Sequence, residues 1–287
     1  MIIITDSAAD MPLEELKSLG VKVAPLQINF PDGQVSAEDI SPDEFYARLE
    51  AMQPDIPTTS QPSAGFFASI YEKFSNVKEE ILSIHISSGL SGTIEAARLG
   101  ASQVLGLSIQ HIDSLTLSGG ERFQVLAAAL AAKAGWSTAA ILERLKAIRE
   151  STELIYTLNT LTYLARGGRI GRVQALAGSI LKLKPIIKVD KVDGKYSTVG
   201  KERTLGKAYI SIREYLEKIY GSVTPLRVSV LHGQFSEQAK VLASLLEEKL
   251  SIGKLEILRI SPVLGVHTGP GVVGVAAVPM VLFNGLE

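Results

Sequence analysis

The sequence predicts an α/β protein of two α/β domains. The N-terminal one is expected to carry a mainly parallel sheet with helices on both faces, and the C-terminal one a mixed sheet. Three observations point there. The chain has 287 residues, and at ~100–200 residues per domain two are expected. Short runs rich in Ile and Val alternate with stretches carrying apolar residues at three- and four-residue spacing, the order that builds a parallel sheet. The alternation restarts near residue 150, which divides the chain into 1–150 and 151–287.

Ile2–Thr5 is a short apolar run and reads as a buried strand. Asp10-Met11-Pro12 then opens a helix, because Asp caps helices and Pro fits their first turn. Val21–Phe30 is a second strand, closed by the turn Pro31-Asp32-Gly33. Ser41-Pro42-Asp43-Glu44 starts a helix with a capping Ser, a Pro and two acids in the first turn. Residues 54–62 read as a loop, Ser63–Phe74 as a helix and Glu80–Ile86 as a buried strand. The Ser/Gly loop 87–93 feeds a helix of about Ile94–Leu105. Ile109–Ile112 is a strand ending in Asp113-Ser114, and helices follow near Gly120–Ala134 and Ser137–Glu150.

In the second half, Leu154–Leu158 is a strand and Leu161–Leu183 is largely helical, broken at Gly167-Gly168. Pro185–Val189 and Tyr196–Val199 form a hairpin around Asp193-Gly194. Thr204–Ile219 is an amphipathic helix. Leu226–Leu231, Phe235–Leu250 and Leu255–Ile260 make a strand–helix–strand unit, and a Gly/Pro-rich loop at 262–274 leads to a last strand, Val275–Leu282.

Composition removes several function classes. Hydrophobic residues are 46% of the chain, ample for packed cores. With 29 Lys+Arg against 30 Asp+Glu, the net charge of -1 gives no bulk attraction to nucleic acid or anionic membrane. The chain has no cysteine, which excludes disulfides and thiolate chemistry. Its four histidines, His85, His111, His232 and His267, are never spaced i, i+4, so no His-rich metal site is expected. No G-x-x-x-x-G-K-[ST] or G-x-G-x-x-G string occurs, so no intrinsic ATP site and no cofactor are expected. The first residues lack a signal-peptide pattern, and no apolar run nears the ~18 residues that span a bilayer. A cytoplasmic location follows as the expectation.

Four polar or Gly-rich segments interrupt the apolar chain: 58–63, 87–93, 165–172 and 267–271. The loop Ser87-Ser88-Gly89-Leu90-Ser91-Gly92-Thr93 has a strand before it and a helix after it, the place where parallel sheets bind ligands. Hydroxyls and free N–H groups at a helix start suit a carboxylate or phosphate at Ser91-Gly92-Thr93. Plain capping of the helix by Ser91 or Thr93 is the competing explanation. Gly89-Leu90-Ser91-Gly92 also resembles a hydrolase elbow, with its last glycine displaced by one. A serine esterase would need Ser91, His267 and an acid such as Asp113 in one place. Asp6 and Asp113 end strands and are read as caps of the turns that follow. Arg169, Arg172, Lys201 and Arg203 can form a solvated basic face.

Together these strings resemble the DegV family of bacterial fatty-acid-binding proteins. The matching strings are Thr5-Asp6-Ser7, Pro57-Thr58-Thr59-Ser60-Gln61-Pro62, the 87–93 loop, Asp113-Ser114, Gly167-Gly168-Arg169-Ile170, Leu183-Lys184-Pro185-Ile186 and His267-Thr268-Gly269, in the family's order. The resemblance implies a long-chain fatty acid as ligand, with its carboxylate held by Thr59 and Ser91. It also implies that His267 supports the hydroxyls and that Gly92 and Thr93 lie beside the acid. A separate ATP-using fatty acid kinase is the implied partner, meeting the protein at Arg169 and Arg203. Transient membrane contact and a monomeric state complete the expectation. Phe66, Phe67 and Ile94 are the tail-lining candidates, chosen by proximity to the loops.

Overall fold

The computed structural model describes residues 1–174 and 183–286. The first half is built on a parallel sheet in the order β2-β1-β6-β7. Its strands are β1 (Ile2–Asp6), β2 (Lys22–Ala24), β6 (Ile81–His85) and β7 (Ile109–Asp113). Every residue of β6 is buried, as expected for a parallel strand covered on both faces. Helices α3 (Ala64–Glu72) and α4 (Thr93–Ala101) pack on one face, with Phe67, Tyr71 and Ala97 against Ile4 and Ile81. Helix α5 (Ser118–Lys133) covers the other, burying Phe123 with Ile3, Leu82 and Ile84. Helix α6 (Thr138–Ser151) closes this half.

The second half carries a mixed six-stranded sheet, β10-β9-β8-β13-β11-β12. These are β8 (Glu153–Leu158), β9 (Lys184–Val189), β10 (Tyr196–Glu202), β11 (Leu226–His232), β12 (Ile252–Arg259) and β13 (Val272–Pro279). Only β11 and β12 run parallel to each other, bridged by α9 (Ser236–Glu247); the other pairs are antiparallel. Helix α8 (Leu205–Tyr220) buries Ala208, Tyr209, Ile212 and Leu216, the stripe its spacing announces. The fold class expected from the sequence is the one observed. No described helix is long and apolar enough to cross a membrane.

Five expectations need correction. The run Val21–Phe30 is two strands, because Pro25 has no N–H to continue a ladder. Its second part, β3 (Gln27–Phe30), joins β4 (Gly33–Ser36) and β5 (Thr58–Ser60) in a separate antiparallel sheet, β4-β3-β5. Residues 54–62 are therefore not all loop. Asp10 does not cap α1 (Leu13–Leu19), whose N-cap is Pro12. The Asp10 carboxylate instead accepts from Ser118 Oγ at 2.5 Å and from Ser261 N at 2.7 Å. Residues 262–274 open with a helix, α10 (Pro262–Thr268), that ends at Gly269 with φ 71°. The long helix read over Leu161–Leu183 is short at its described start: α7 spans Thr162–Arg166 and stops at Gly167-Gly168. The part of that reading over residues 175–182 lies outside the described residues.

The two halves are tied by polar contacts as well as by one shared core. Arg122 on α5 is almost wholly buried. It pairs with Glu15 of α1 at 2.7 Å and Glu256 of β12 at 2.6 Å. Its Nη1 also donates to Ser229 Oγ on β11 at 3.2 Å. Helix α2 (Pro42–Ala51), capped by Ser41 as expected, brings Asp43 to Arg259 at 2.6 Å.

Candidate functional site

Three separate elements deliver three polar side chains to one place. Strand β5 carries Thr59, paired in register with Ile28 of β3. Helix α10 carries His267 in its last turn. The loop after β6 carries Ser91 just before α4. That loop is fixed at its root by Asp6, whose Oδ2 accepts from Ile86 N and faces His85 Nδ1, each at 3.0 Å. Asp6 and Asp113 also cap their own turns, accepting from Ala8 N and Leu115 N, as expected.

Thr59 Oγ1 and His267 Nε2 are 2.8 Å apart. His267 is buried, and its pKa is lowered to about 4, first by burial and second by the charge of Arg169. The ring is therefore neutral at neutral pH and carries one N–H. With the proton on Nε2, the ring donates to Thr59, and the Thr59 hydroxyl proton is free for a ligand oxygen. Nδ1 is buried without a hydrogen-bond partner among the described residues. It lies against Gly167, where a Cβ would come within 2.2 Å of it. The two glycines of Gly167-Gly168 thus serve different ends. The first makes room for the imidazole, and the second takes φ 72°.

Thr59, Ser91, His267 and Arg169 all line one cavity of about 30 Å³, closed by Leu26, Ile86, Leu90, Tyr196, Val263 and Leu264. Ser91 Oγ bonds Thr93 Oγ1 at 2.8 Å, and α4 is headed by Gly92 with no side-chain cap. Capping therefore does not account for either hydroxyl. Arg169, assigned from sequence to a docking face, sits in the cavity wall, with Nη1 donating to the Gly167 carbonyl at 2.7 Å. Arg203 is exposed beyond β10 and is not among the cavity residues.

The loop is less open than its sequence suggests. The N–H groups of Ser87, Ser88, Gly89, Leu90 and Ser91 are all engaged within the protein. Those of Gly92 and Thr93 head α4, where N–H groups have no intrahelical partner. The loop is also clamped from the other half. Ser87 Oγ donates to the Gly194 carbonyl at 2.9 Å, and a Cβ on Gly89 would come within 2.3 Å of the Asp193 carbonyl oxygen. Arg172 holds that turn through Asp193 at 2.6 Å.

The esterase alternative finds no support in this geometry. Ser91 pairs with Thr93, His267 with Thr59, and Asp113 with the backbone N–H groups of Ser88 and Leu115. No described group of His, Asp and Glu could hold a metal ion.

A second cavity, of about 20 Å³, adjoins the first and shares Leu264 with it. Its wall is mainly apolar: Leu117 ahead of α5, Leu154 and Tyr156 of β8, Leu231 of β11, and Val272 and Gly274 of β13. It therefore lies between the start of α5 and the inner face of the mixed sheet. Tyr196 of the first cavity and Tyr156 of the second meet edge to face, with ring centroids 5.9 Å apart. Phe66, Phe67 and Ile94 line neither cavity. Phe66 is exposed, and Phe67 and Ile94 are buried in the first half, Phe67 in the core under α3 and α4.

Leu264, Tyr196 and the Ser87–Gly194 clamp were not foreseen from sequence. One signal for α10 was present: Ser261-Pro262 repeats the Ser-Pro start of α2, and Gly269 marks its end. The dense glycines at 265–274 hid it. Gly265 is there because a Cβ would come within 2.6 Å of Phe45 on α2. For β5 the signal was the β-branched pair Thr58-Thr59.

Comparison with known proteins agrees with this architecture. The model of the DegV family matches residues 1–280. A DegV domain-containing protein of Deinococcus radiodurans is 38% identical over 259 residues, covering 90% of this chain and 89% of its own. A DegV family protein from Thermus thermophilus, described for its fatty acid binding, is similar with a TM-score of 0.90 at 31% identity, covering 97% of this chain and 99% of its own. A stearic acid-binding protein from Eubacterium ventriosum gives a TM-score of 0.88 at 27% identity, covering 97% and 98%. With one family model spanning nearly its whole length, the chain belongs to the DegV family.

Proposed function

We propose that this protein binds a long-chain fatty acid and presents it to a separate ATP-dependent fatty acid kinase, which makes the acyl phosphate. The observation that carries the reading is the convergence of Thr59, Ser91, His267 and Arg169 on one cavity that continues, past Leu264, into an apolar one. A polar head followed by an apolar hollow is the shape of an amphiphile. The fatty acids bound by the Thermus and Eubacterium relatives are amphiphiles of this kind.

The energetics support the same ligand. Each buried methylene contributes roughly 0.8 kcal/mol, so the tail dominates the affinity. A carboxylate left without partners there would be costly to bury. Thr59 and Ser91 supply O–H donors, Gly92 and Thr93 supply N–H donors, and neutral His267 fixes the Thr59 hydroxyl. Arg169 supplies positive charge at the cavity wall. Both cavities are far smaller than an acyl chain, so loading parts the side chains between them, Leu264 first. In this reading the acid lies where residues 1–150 and 151–287, taken as two domains, meet. Arg169 and Arg203 face the kinase, the protein is a cytoplasmic monomer with passing membrane contact, and the chain itself carries out no catalysis.

Native mass spectrometry of the protein purified from bacteria tests the ligand. The expected result is an added mass equal to a fatty acid, removable by delipidation and restored by added acid. Protein that neither carries nor rebinds a fatty acid would overturn the proposal. Incubation with a fatty acid kinase and ATP should then yield acyl phosphate only when this protein is present.

A further inference from the structure

A third hollow lies beyond the apolar cavity. It is a surface groove of about 570 Å³ whose wall includes Met11, Leu13, Leu16, Val23, Ile40 and Ile260. That volume falls within the range of small-molecule sites.

Two observations place the groove directly against the apolar cavity. Ile260, only 4% exposed, lines both. Ser118 lines the cavity, Asp10 lines the groove, and Ser118 Oγ donates to Asp10 Oδ2 at 2.5 Å. Ile260 and the Ser118–Asp10 hydrogen bond thus stand in the partition between the two. Both bonded residues hold left-handed backbone, Asp10 at φ 51° and Ser118 at φ 52°, a conformation that side-chain-bearing residues rarely keep without support. Leu264 separates the head cavity from the apolar cavity in the same way. The three hollows therefore stand in a row, divided by Leu264 and then by Ile260.

The occupant follows from the wall. Its charged members are already engaged or in solvent. Asp6 accepts from Ala8 N and Ile86 N, Arg259 pairs with Asp43 and donates to the Gly233 carbonyl, Asp10 accepts from Ser118 and Ser261, and Glu38 is exposed. Of the polar wall residues, Thr5 Oγ1 donates to Glu121, Ser7 Oγ accepts from Leu26 N and Ser261 Oγ is buried; the rest of the wall is mainly aliphatic, which suits a chain end that needs no polar partner.

We propose that the groove receives the methyl end of acyl chains too long for the buried cavities, so that the channel has a second mouth at Ile260. The proposal rests on the fatty-acid reading of the head cavity.

Binding of palmitic, stearic, behenic and lignoceric acids to delipidated protein, followed by native mass spectrometry and by displacement of a fluorescent fatty acid, tests it. All four acids should bind, the two longer ones within about tenfold of stearic acid. Ile260→Phe thickens the partition, and Met11→Trp fills the groove from its partly exposed side. Each should weaken behenic and lignoceric acid by about tenfold or more and leave palmitic acid unchanged. Met11→Trp reports on the groove even where Ile260→Phe disturbs folding. A protein that binds palmitic and stearic acid but excludes the longer two has a sealed cavity, and the proposal fails. It fails equally when the longer acids bind and Met11→Trp leaves them unaffected. Absence of binding at every length overturns the fatty-acid reading itself, and this inference with it.

Discussion

Thr59 Oγ1 and His267 Nε2 are 2.8 Å apart although 208 residues separate them in sequence. A strand of the small sheet and the end of a seven-residue helix meet there, and Ser91 reaches the same cavity from a third element. Hydrogen bonds to a charged acceptor contribute about 1.5–3 kcal/mol each. Thr59→Ala and Ser91→Ala should therefore each weaken fatty acid binding by roughly 10–100-fold. Thr59→Ser, which keeps the hydroxyl, should recover most of the loss. Isothermal calorimetry with a soluble fatty acid reads both effects. Equal affinities for Thr59→Ala and Thr59→Ser would remove Thr59 from the head contacts.

His267 should stay neutral well into the acid range, because burial and then Arg169 lower its pKa from 6.5 to about 4. The sign of the stability effect follows. Between those two values the unfolded ring takes up a proton and the folded ring does not. The stability gained by keeping His267 neutral is thus complete above 6.5 and is lost as the pH falls toward about 4. An NMR titration of the imidazole protons checks this. A ring already charged at the ordinary histidine pKa would contradict the buried, hydroxyl-supporting role.

Gly194→Ala tests whether the distant turn shapes the head loop. The residue sits at φ 64°, and an added Cβ would come within 1.8 Å of Ser87 Oγ. Left-handed backbone alone costs about 1–2 kcal/mol for a side-chain-bearing residue. Urea unfolding should show at least that loss, and fatty acid affinity should fall although Gly194 lines neither cavity. Gly206→Ala is the control. It lies in α8 with nothing within 4 Å of an added Cβ, so it should be neutral or mildly stabilising. Unchanged affinity in a folded Gly194→Ala protein would show that the turn does not shape the site.

Asp10→Asn should stabilise the protein near neutral pH. Burial raises the Asp10 pKa from 3.8 to about 6. Between these values the folded carboxyl holds a proton that the unfolded one has released, so stability falls as pH rises through that window. About two pKa units correspond to roughly 3 kcal/mol at most. Asn carries no charge, can accept from Ser261 N and donate to Ser118, and tolerates the φ of 51° better than most residues. Melting temperatures measured on both sides of the window should show the wild type weakening as pH rises and the variant nearly flat. A variant less stable than wild type at neutral pH would mean that the ionised carboxylate is needed to hold α10.

How much was legible in the sequence varied by element. Hydrophobic spacing located α3, α5, α6, α8 and α9 and most strands of the two large sheets, because one face of each is buried and the period records it. Capping chemistry placed the start of α2 at Ser41. The sequence reading failed where two local signals competed. At β5 the flanking prolines outweighed two β-branched residues, and pairing with β3 decided for strand. At α10 the glycines outweighed Ser261-Pro262, and close packing on Phe45 explains why a glycine is inside that helix.

By itself the sequence determined the α/β class, the absence of cysteine chemistry and of a nucleotide loop, and, through the ordered strings from Thr5-Asp6-Ser7 to His267-Thr268-Gly269, the family. Those properties rest on residue types and on short-range order, which sequence carries directly. Only the tertiary structure decided that Arg169 lines the same cavity as Thr59, Ser91 and His267, that Leu264 stands between that cavity and the apolar one, and that Gly194 clamps the 87–93 loop. Each of these depends on contacts between distant segments. Side-chain chemistry permits such contacts, but the packing of the two sheets against α5 and α10 brings them about.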